Sequence, residues 1–291
     1  MEVLKNVHQI RIDFQVTESV KRYVYVYLIT GKSCCLIDSG VAGSEKIIEN
    51  YMRGIGRDMK EITAVFLTHA HPDHIGGAAA VKRASGCKVY VSGEEKGWVS
   101  DISLQFQERP IPNFYSLVEE SVPEAETVRE GDQIVPEAGI TLQVLETKGH
   151  SDGSVSYLFQ EEGVLFCGDA IPEQHDFPIF TDADESRKTL ERLGRLSHIK
   201  YCCPAWDHVY GEKEWKEKVT GAGSLLRELQ NCVRKIQHEY PEISDQERAE
   251  LTGNKMGWKN MAVNPLFLRS IRSVISYQEI RSESSIHRHM S

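Results

Sequence analysis

The chain has 291 residues, of which 40% are hydrophobic and 26% charged, with a net charge of −9. That suits one large domain, or a domain with a smaller appendage, and a sizeable core rather than disorder. The acidic balance, with no basic run longer than Lys82-Arg83, argues against nucleic acid, and the lack of a long apolar run or signal-peptide core argues against a membrane and for the cytoplasm.

The sequence opens with strands. Residues 7–16 and 23–29 alternate apolar and polar side chains, and Cys34-Cys35-Leu36-Ile37-Asp38 is a short apolar strand ending in the turn Asp38-Ser39-Gly40. A helix is expected over 44–53, with Ser44 as its cap. Residues 62–67 read as a buried strand, 74–84 as a helix rich in small residues, and 88–91 as a further strand. Residues 100–125 break the rhythm, with Pro110, Pro112 and Pro123 set among Phe106, Phe114 and Tyr115. An irregular surface excursion is expected there, of the kind that serves as a lid or binding loop or simply packs.

Strands resume around 126–129, 133–135, 140–147, 154–160 and 163–167, some of them separated by the turns Glu130-Gly131-Asp132 and Glu161-Glu162-Gly163. A helix over 183–197 and a strand over 199–203 follow. This order suggests two similar halves whose sheets pack face to face under helices. Beyond residue 213, Leu225, Leu226, Leu229, Val233 and Ile236 recur at helical spacing, and Asn264-Pro265 opens a last helix carrying Leu266, Phe267, Ile271, Val274 and Ile275. Residues 213–280 read as a helical appendage, and 282–291, with His287 and His289, as a loose tail. The seven cysteines form no CxxC pair, and Cys34, Cys35 and Cys167 lie inside strands, as buried reduced thiols of a cytosolic protein do.

The densest chemical signal is Thr68-His69-Ala70-His71-Pro72-Asp73-His74-Ile75-Gly76-Gly77, directly after a buried strand. Pro72 lacks an amide hydrogen and disfavours helical geometry at His71, so the segment is a turn that can aim His69 and His71 one way and Asp73 and His74 another. Imidazole nitrogen and carboxylate oxygen are donors that zinc accepts. Gly76 and Gly77 allow close packing at the helix start. Three further segments follow strands: Gly149-His150, Gly168-Asp169 and Asp207-His208. Each is weak alone; a lone histidine such as His208 is more often a surface or core residue than a ligand.

The ordered set His-x-His-x-Asp-His, Gly-His, Gly-Asp and His resembles the metallo-β-lactamase superfamily over residues 1–211. The resemblance implies an α+β fold, a four-layer αββα sandwich in a catalytic domain over 1–211, with a C-terminal helical extension over 212–291. It implies one metal site from His69, His71 and His150, a second from Asp73, His74 and His208, and Asp169 bridging both. Two divalent ions are expected, zinc first, with iron or manganese compatible with the same donors. The motif looks like the thioesterase and lactonase branch that includes glyoxalase II. Asp169 stands where zinc β-lactamases usually carry Cys, which argues against a β-lactam substrate. His71 stands where the flavodiiron branch usually carries Glu, which argues against oxygen reduction.

The expected function is therefore a dinuclear metal-dependent hydrolase of a small-molecule thioester or ester. A water shared by two cations loses its proton near neutrality and attacks the carbonyl, whose developing charge the cations stabilise. Catalytic roles fall to Asp169 as bridge and to Asp73 as ligand and proton acceptor. Asp38 occupies the family's position for an aspartate near the metals, where it orients a histidine ligand or merely forms a turn. His175, Asp176 and Lys148 are polar groups near these motifs. Alternatives on the same fold are a lactonase, disfavoured by the absence of Tyr from residues 170–200, a mononuclear iron persulfide dioxygenase, and a phosphodiesterase, disfavoured by the acidic charge. The C-terminal helices are expected to cover the active site or to form a homodimer.

Overall fold

The computed structural model describes residues 1–18, 20–173 and 177–275. His175, Asp176 and the chain after 275, including His287 and His289, lie outside them. The alternating runs at the start of the chain form strands β1 (Glu2–Leu4), β2 (Val7–Thr17) and β3 (Val20–Thr30), joined antiparallel with Ile10 opposite Val26 and Ile12 opposite Val24. β4 (Cys34–Ile37) continues the antiparallel order. β5 (Ile62–Phe66), β6 (Lys88–Ser92) and β7 (Glu126–Val128) then add in parallel, completing a seven-stranded sheet in chain order.

Parallel neighbours need crossovers, and helices supply them. α1 (Ser44–Gly54) lies between β4 and β5, and α2 (Pro72–Ile75) and α3 (Ala78–Ser85) lie between β5 and β6. Between β6 and β7 run α4 (Lys96–Ser100), α5 (Ile102–Glu108) and α6 (Phe114–Leu117). The second sheet holds six strands: β8 (Gln133–Glu137), β9 (Ile140–Glu146), β10 (Val155–Phe159), β11 (Val164–Gly168), β12 (Tyr201–Pro204) and β13 (Tyr210–Gly211). Their order is β13-β12-β11-β10-β9-β8, with β11 and β12 parallel.

The strand period of two explains the layering. On β3, Val24, Val26 and Leu28 pack with Ile48, Met52 and Val81 of the helices. Tyr27 and Ile29 point the other way, with Ile37 and Phe66, onto Val144, Tyr157 and Phe166 of the second sheet. Apart from exposed Thr63, β5 is buried on both faces, as its apolar run requires. Buried phenols tie the sheets: Tyr27 donates to the Pro204 carbonyl at 2.7 Å and Tyr157 to the Leu67 carbonyl at 2.9 Å.

These strands belong to one compact unit, made of Met1–Glu146, Gly153–Asp169 and His198–Glu212. A second unit takes Thr147–Asp152, Ala170–Ser197 and the chain from Lys213 on. It contains α7 (Ala183–Arg195), nearly all of α8 (Glu212–Glu239), α9 (Asp245–Met256) and a helical stretch over 265–275. Asp182 caps α7, and Asn264 Oδ1 accepts from the amides of Leu266 and Phe267, the plain helix start that Asn264-Pro265 suggests. Phe267 stands edge-on to both Phe177 and Trp258. The apolar face of α8, through Leu226, Leu229, Val233 and Ile236, is buried within the chain.

Three local expectations are corrected. Ser44 is not the cap of α1: Gly43, at a φ of 83°, takes that position, and Ser44 is the buried first helical residue. The helix expected over 74–84 is two pieces, α2 and α3, separated at Gly76-Gly77. The excursion over 100–125 is not irregular throughout. Asp101 accepts from the amides of Ser103 and Leu104 and so starts α5, while Pro110 and Pro112 fall in the stretch that separates α5 from α6.

Candidate metal centre

Within the first unit, the motif residues collect where β4, β5 and β11 end. β5 runs into Thr68 and the histidine turn. His71 keeps an extended backbone (φ −67°, ψ 148°) and Pro72 is the first residue of α2, the geometry that its ring favours. A side chain at Gly76 would meet the Leu117 carbonyl at 2.1 Å, so the close approach expected of the glycine pair is real.

His69, His71 and His74 are all buried. His69 Nε2 lies 3.0 Å from His71 Nδ1, so two ring nitrogens converge on one point. The ligand atoms of His69, His74 and Asp169 lie within 4.8 Å of one another. His74 Nε2 is 3.5 Å from Asp169 Oδ1 and 3.9 Å from Asp73 Oδ2, and it is buried with no hydrogen-bond partner among the described residues. His208 is not one of that trio; its ring is exposed, with Nδ1 2.8 Å from Asp207 Oδ1 and the ring edge-on to Tyr210.

Asp38 organises two of the imidazoles. Its Oδ2 lies 2.8 Å from His74 Nδ1, which donates to it, so that Nε2 is the lone-pair nitrogen whenever the ring is neutral. Asp38 also accepts from the Thr68 amide at 2.8 Å and from the Thr68 hydroxyl. That hydroxyl lies 3.1 Å from His69 Nδ1; having donated to Asp38, it accepts from His69, which makes Nε2 the lone-pair nitrogen of the neutral ring. His150 belongs to the second unit. There its Nδ1 donates to the Ile179 carbonyl at 3.0 Å, which again leaves Nε2 as the lone-pair nitrogen.

The electrostatics fit a cation. Burial acts to lower the His74 pKa, but the carboxylates of Asp38, Asp169 and Asp73 outweigh it and lift the group well above its ordinary value. Burial lifts Asp73 above the usual carboxylate range; His74 opposes the shift and Asp169 adds to it. Three carboxylates gathered around one buried imidazole leave an excess of negative charge that a proton or a metal ion must answer. Together with the bare His74 Nε2, that donor set suits a divalent metal held by nitrogen and oxygen.

Several participants carry no motif. Trp206 donates its indole N–H to Asp169 Oδ1 at 2.7 Å, signalled only by its place beside Asp207-His208. The hydroxyl of Thr68 could be suspected from its position before His69. Glu95 and Gln105, which bond to the backbone of Ala70, have no local signal at all.

Residues 20–205 match the sequence profile described as "Metallo-beta-lactamase superfamily". The chain belongs to the metallo-beta-lactamase superfamily. Among solved structures, this superfamily member is similar to a metallo-beta-lactamase family protein from Thermus thermophilus, with a TM-score of 0.74 and 17% identity over 96% of this chain and 95% of that one. A beta-lactamase domain protein from Burkholderia ambifaria gives a TM-score of 0.70 at 16% identity, over 95% and 88% of the two chains. These likenesses show the metallo-β-lactamase fold, the α+β sandwich expected from the motif order. Curated relatives include the probable metallo-hydrolase YqgX of Bacillus subtilis, 32% identical over 50% of this chain and 64% of that protein. A hydroxyacylglutathione hydrolase of Thiobacillus denitrificans is 27% identical over 66% and 64%. The aligned part spans less than two thirds of the length of these relatives.

Proposed function

We propose that this chain is a metal-dependent hydrolase that cleaves a small-molecule thioester or ester, using two divalent ions, zinc first and iron or manganese as alternatives. The observation that carries the reading is His74 Nε2, buried with no hydrogen-bond partner among the described residues and facing the carboxylates of Asp169 and Asp73. His69, His71 and His150 would hold one ion, Asp73, His74 and His208 the other, and Asp169 would bridge them. When bound, such ions polarise a carbonyl and make water nucleophilic at neutral pH.

The chain's own residues do the rest. Asp38 keeps the Nδ1 proton on His74 directly and on His69 through Thr68, so both rings present Nε2. Trp206 fixes one oxygen of Asp169 and limits the rotation of that carboxylate. Asp73 is the nearby carboxylate able to take up a proton as water is consumed. The relatives named hydroxyacylglutathione hydrolase support an acyl thioester as the substrate class. The free state of all seven cysteines supports the cytoplasm as the location.

The test is metal analysis of the purified chain followed by a screen of thioesters, lactones and phosphodiesters, with oxygen uptake as a control. Thioester or ester turnover with two ions per chain is the expected result. A single iron with oxygen consumption, or cleavage of phosphodiesters alone, would overturn the proposal.

A further inference from the structure

Ala70 separates His69 from His71, and its own side chain offers nothing to steer the turn. Its backbone is gripped on both sides. The Ala70 amide donates to Glu95 Oε2, and the Ala70 carbonyl accepts from Gln105 Nε2. The two partners lie 25 and 35 residues further along the chain, and both are buried. Glu95 is itself held, because its other oxygen accepts from the Gly153 amide at 2.9 Å. Gln105 sits on α5, the helix started by the Asp101 cap.

Geometry gives these contacts a consequence. The amide belongs to the peptide plane between His69 and Ala70, and the carbonyl to the plane between Ala70 and His71. Fixing both planes fixes φ and ψ of Ala70, and with them the relative placement of the backbone positions from which the two imidazoles depart. The Oε1 of Gln105 is buried without a hydrogen bond among the described residues. A buried polar atom left unmatched is costly, so its retention asks for a reason. A glutamine whose Nε2 is needed at Ala70 supplies one.

We propose that Glu95 and Gln105 are positioning residues that set the spacing of His69 and His71 for a metal ion. The proposal rests on the metal-dependent hydrolase reading above. The 3.0 Å approach of His69 Nε2 to His71 Nδ1 is the geometry this clamp maintains. Outer contacts of this kind change metal affinity by about 10–100-fold when lost.

The experiment is cobalt(II) titration of the full chain, followed by its visible d–d absorption, in wild type, Gln105→Met, Glu95→Ala and Glu95→Gln. Gln105→Met keeps the length of the side chain and removes the donor. The expected result is cobalt binding weakened by about 10–100-fold in Gln105→Met and Glu95→Ala, with shifted d–d bands. Glu95→Gln, which keeps an acceptor oxygen, should recover part of the loss. Circular dichroism reports folding, and if one variant unfolds the other decides. Wild-type affinity and spectrum in a folded variant would overturn the clamp alone. Unfolding of both Gln105→Met and Glu95→Ala would also overturn it, because the contacts then hold the fold and not the ligands. A wild-type chain that binds no cobalt would overturn the metal reading and the clamp with it.

Discussion

Replacing Asp38 with asparagine tests the order of the site with one atom. Asp38 accepts from the Thr68 amide at 2.8 Å, from the Thr68 hydroxyl, and from His74 Nδ1 at 2.8 Å. An asparagine oxygen can keep the Thr68 bonds, but its amide nitrogen then faces His74 and can only donate. His74 must answer by accepting at Nδ1, which moves its proton to Nε2, the atom that faces Asp169. A hydrogen bond to a buried charge contributes about 1.5–3 kcal/mol. Losing it at His74 should weaken the ion in the Asp73–His74 site by about 10–100-fold, a cost of similar size. Asp38→Ala is more damaging, because it strands two buried donors of Thr68 and one of His74; about 3–5 kcal/mol of folding stability is expected to go. Zinc competition against a chromogenic chelator reads the first variant and urea unfolding of the metal-free protein reads the second. Wild-type affinity for both ions in the Asp38→Asn variant would refute the tautomer argument.

Asp169→Ala should remove at least one ion and nearly all hydrolysis, since it takes away the carboxylate closest to His74 Nε2; two retained ions with normal turnover would reject the bridging role. His208→Ala should weaken the Asp73–His74 ion more than the other, read by stepwise metal titration, and equal loss of both would point to a different sharing of ligands. Truncation after Gly211 should lower the melting temperature and metal content of what remains, not merely raise KM. It removes Ser270, whose hydroxyl accepts from the Phe180 amide and bonds the Pro178 carbonyl on either side of Ile179, the partner of His150. Glu137 holds a pKa below its ordinary 4.5: partial burial pushes it up, but bonds from the Ser33 hydroxyl and the amides of Ser33 and Lys32 prevail. A depressed carboxylate stabilises the fold above its unfolded pKa and loses that contribution as pH falls through the folded one. Glu137→Gln should therefore lower stability at pH 7 and flatten the acid limb of the stability profile, as urea midpoints across pH would show.

The candidate ligands stand out in the sequence because they follow apolar strands, where period-two burial and a turn residue mark the boundary. His69, His71, Asp73 and His74 announce themselves by density, and Asp38 by ending β4. Legibility failed where a contact depends on distant sequence. Nothing near Glu95 or Gln105 says that they reach Ala70, and the prolines of 100–125 concealed the helix that carries Gln105. Ser44 misled because a serine before a helix is a common cap, whereas the chain there places Gly43 in the left-handed region and draws Ser44 inside. The sharing of chain segments between the two units was also invisible, because 147–152 and 170–197 look like ordinary parts of a strand-rich half.

The turns before His150, Asp169 and His208, and the one that ends β4 at Asp38, share a backbone device that the histidine turn over 69–74 does not use. Asp38 itself, Gly149 before His150, Gly168 before Asp169 and Asp207 before His208 all have positive φ, at 59°, 123°, 50° and 67°. A left-handed residue at a strand end turns the chain sharply, so that the next side chain leaves the pleat instead of continuing its alternation. At Gly168 there is a second demand, since a Cβ would meet Thr68 Oγ1 at 2.5 Å. That hydroxyl is the link between Asp38 and His69, so one missing methyl group serves both the direction of Asp169 and the tautomer of His69. Asp207 is not a glycine and bears a strain of about 1–3 kcal/mol, offset by the bonds it makes to His208, to the Tyr210 hydroxyl and, through its amide, to Tyr23. The Gly-His and Gly-Asp pairs are thus more than proposed ligands with a small neighbour: the glycine supplies the turn, and the turn supplies the aim.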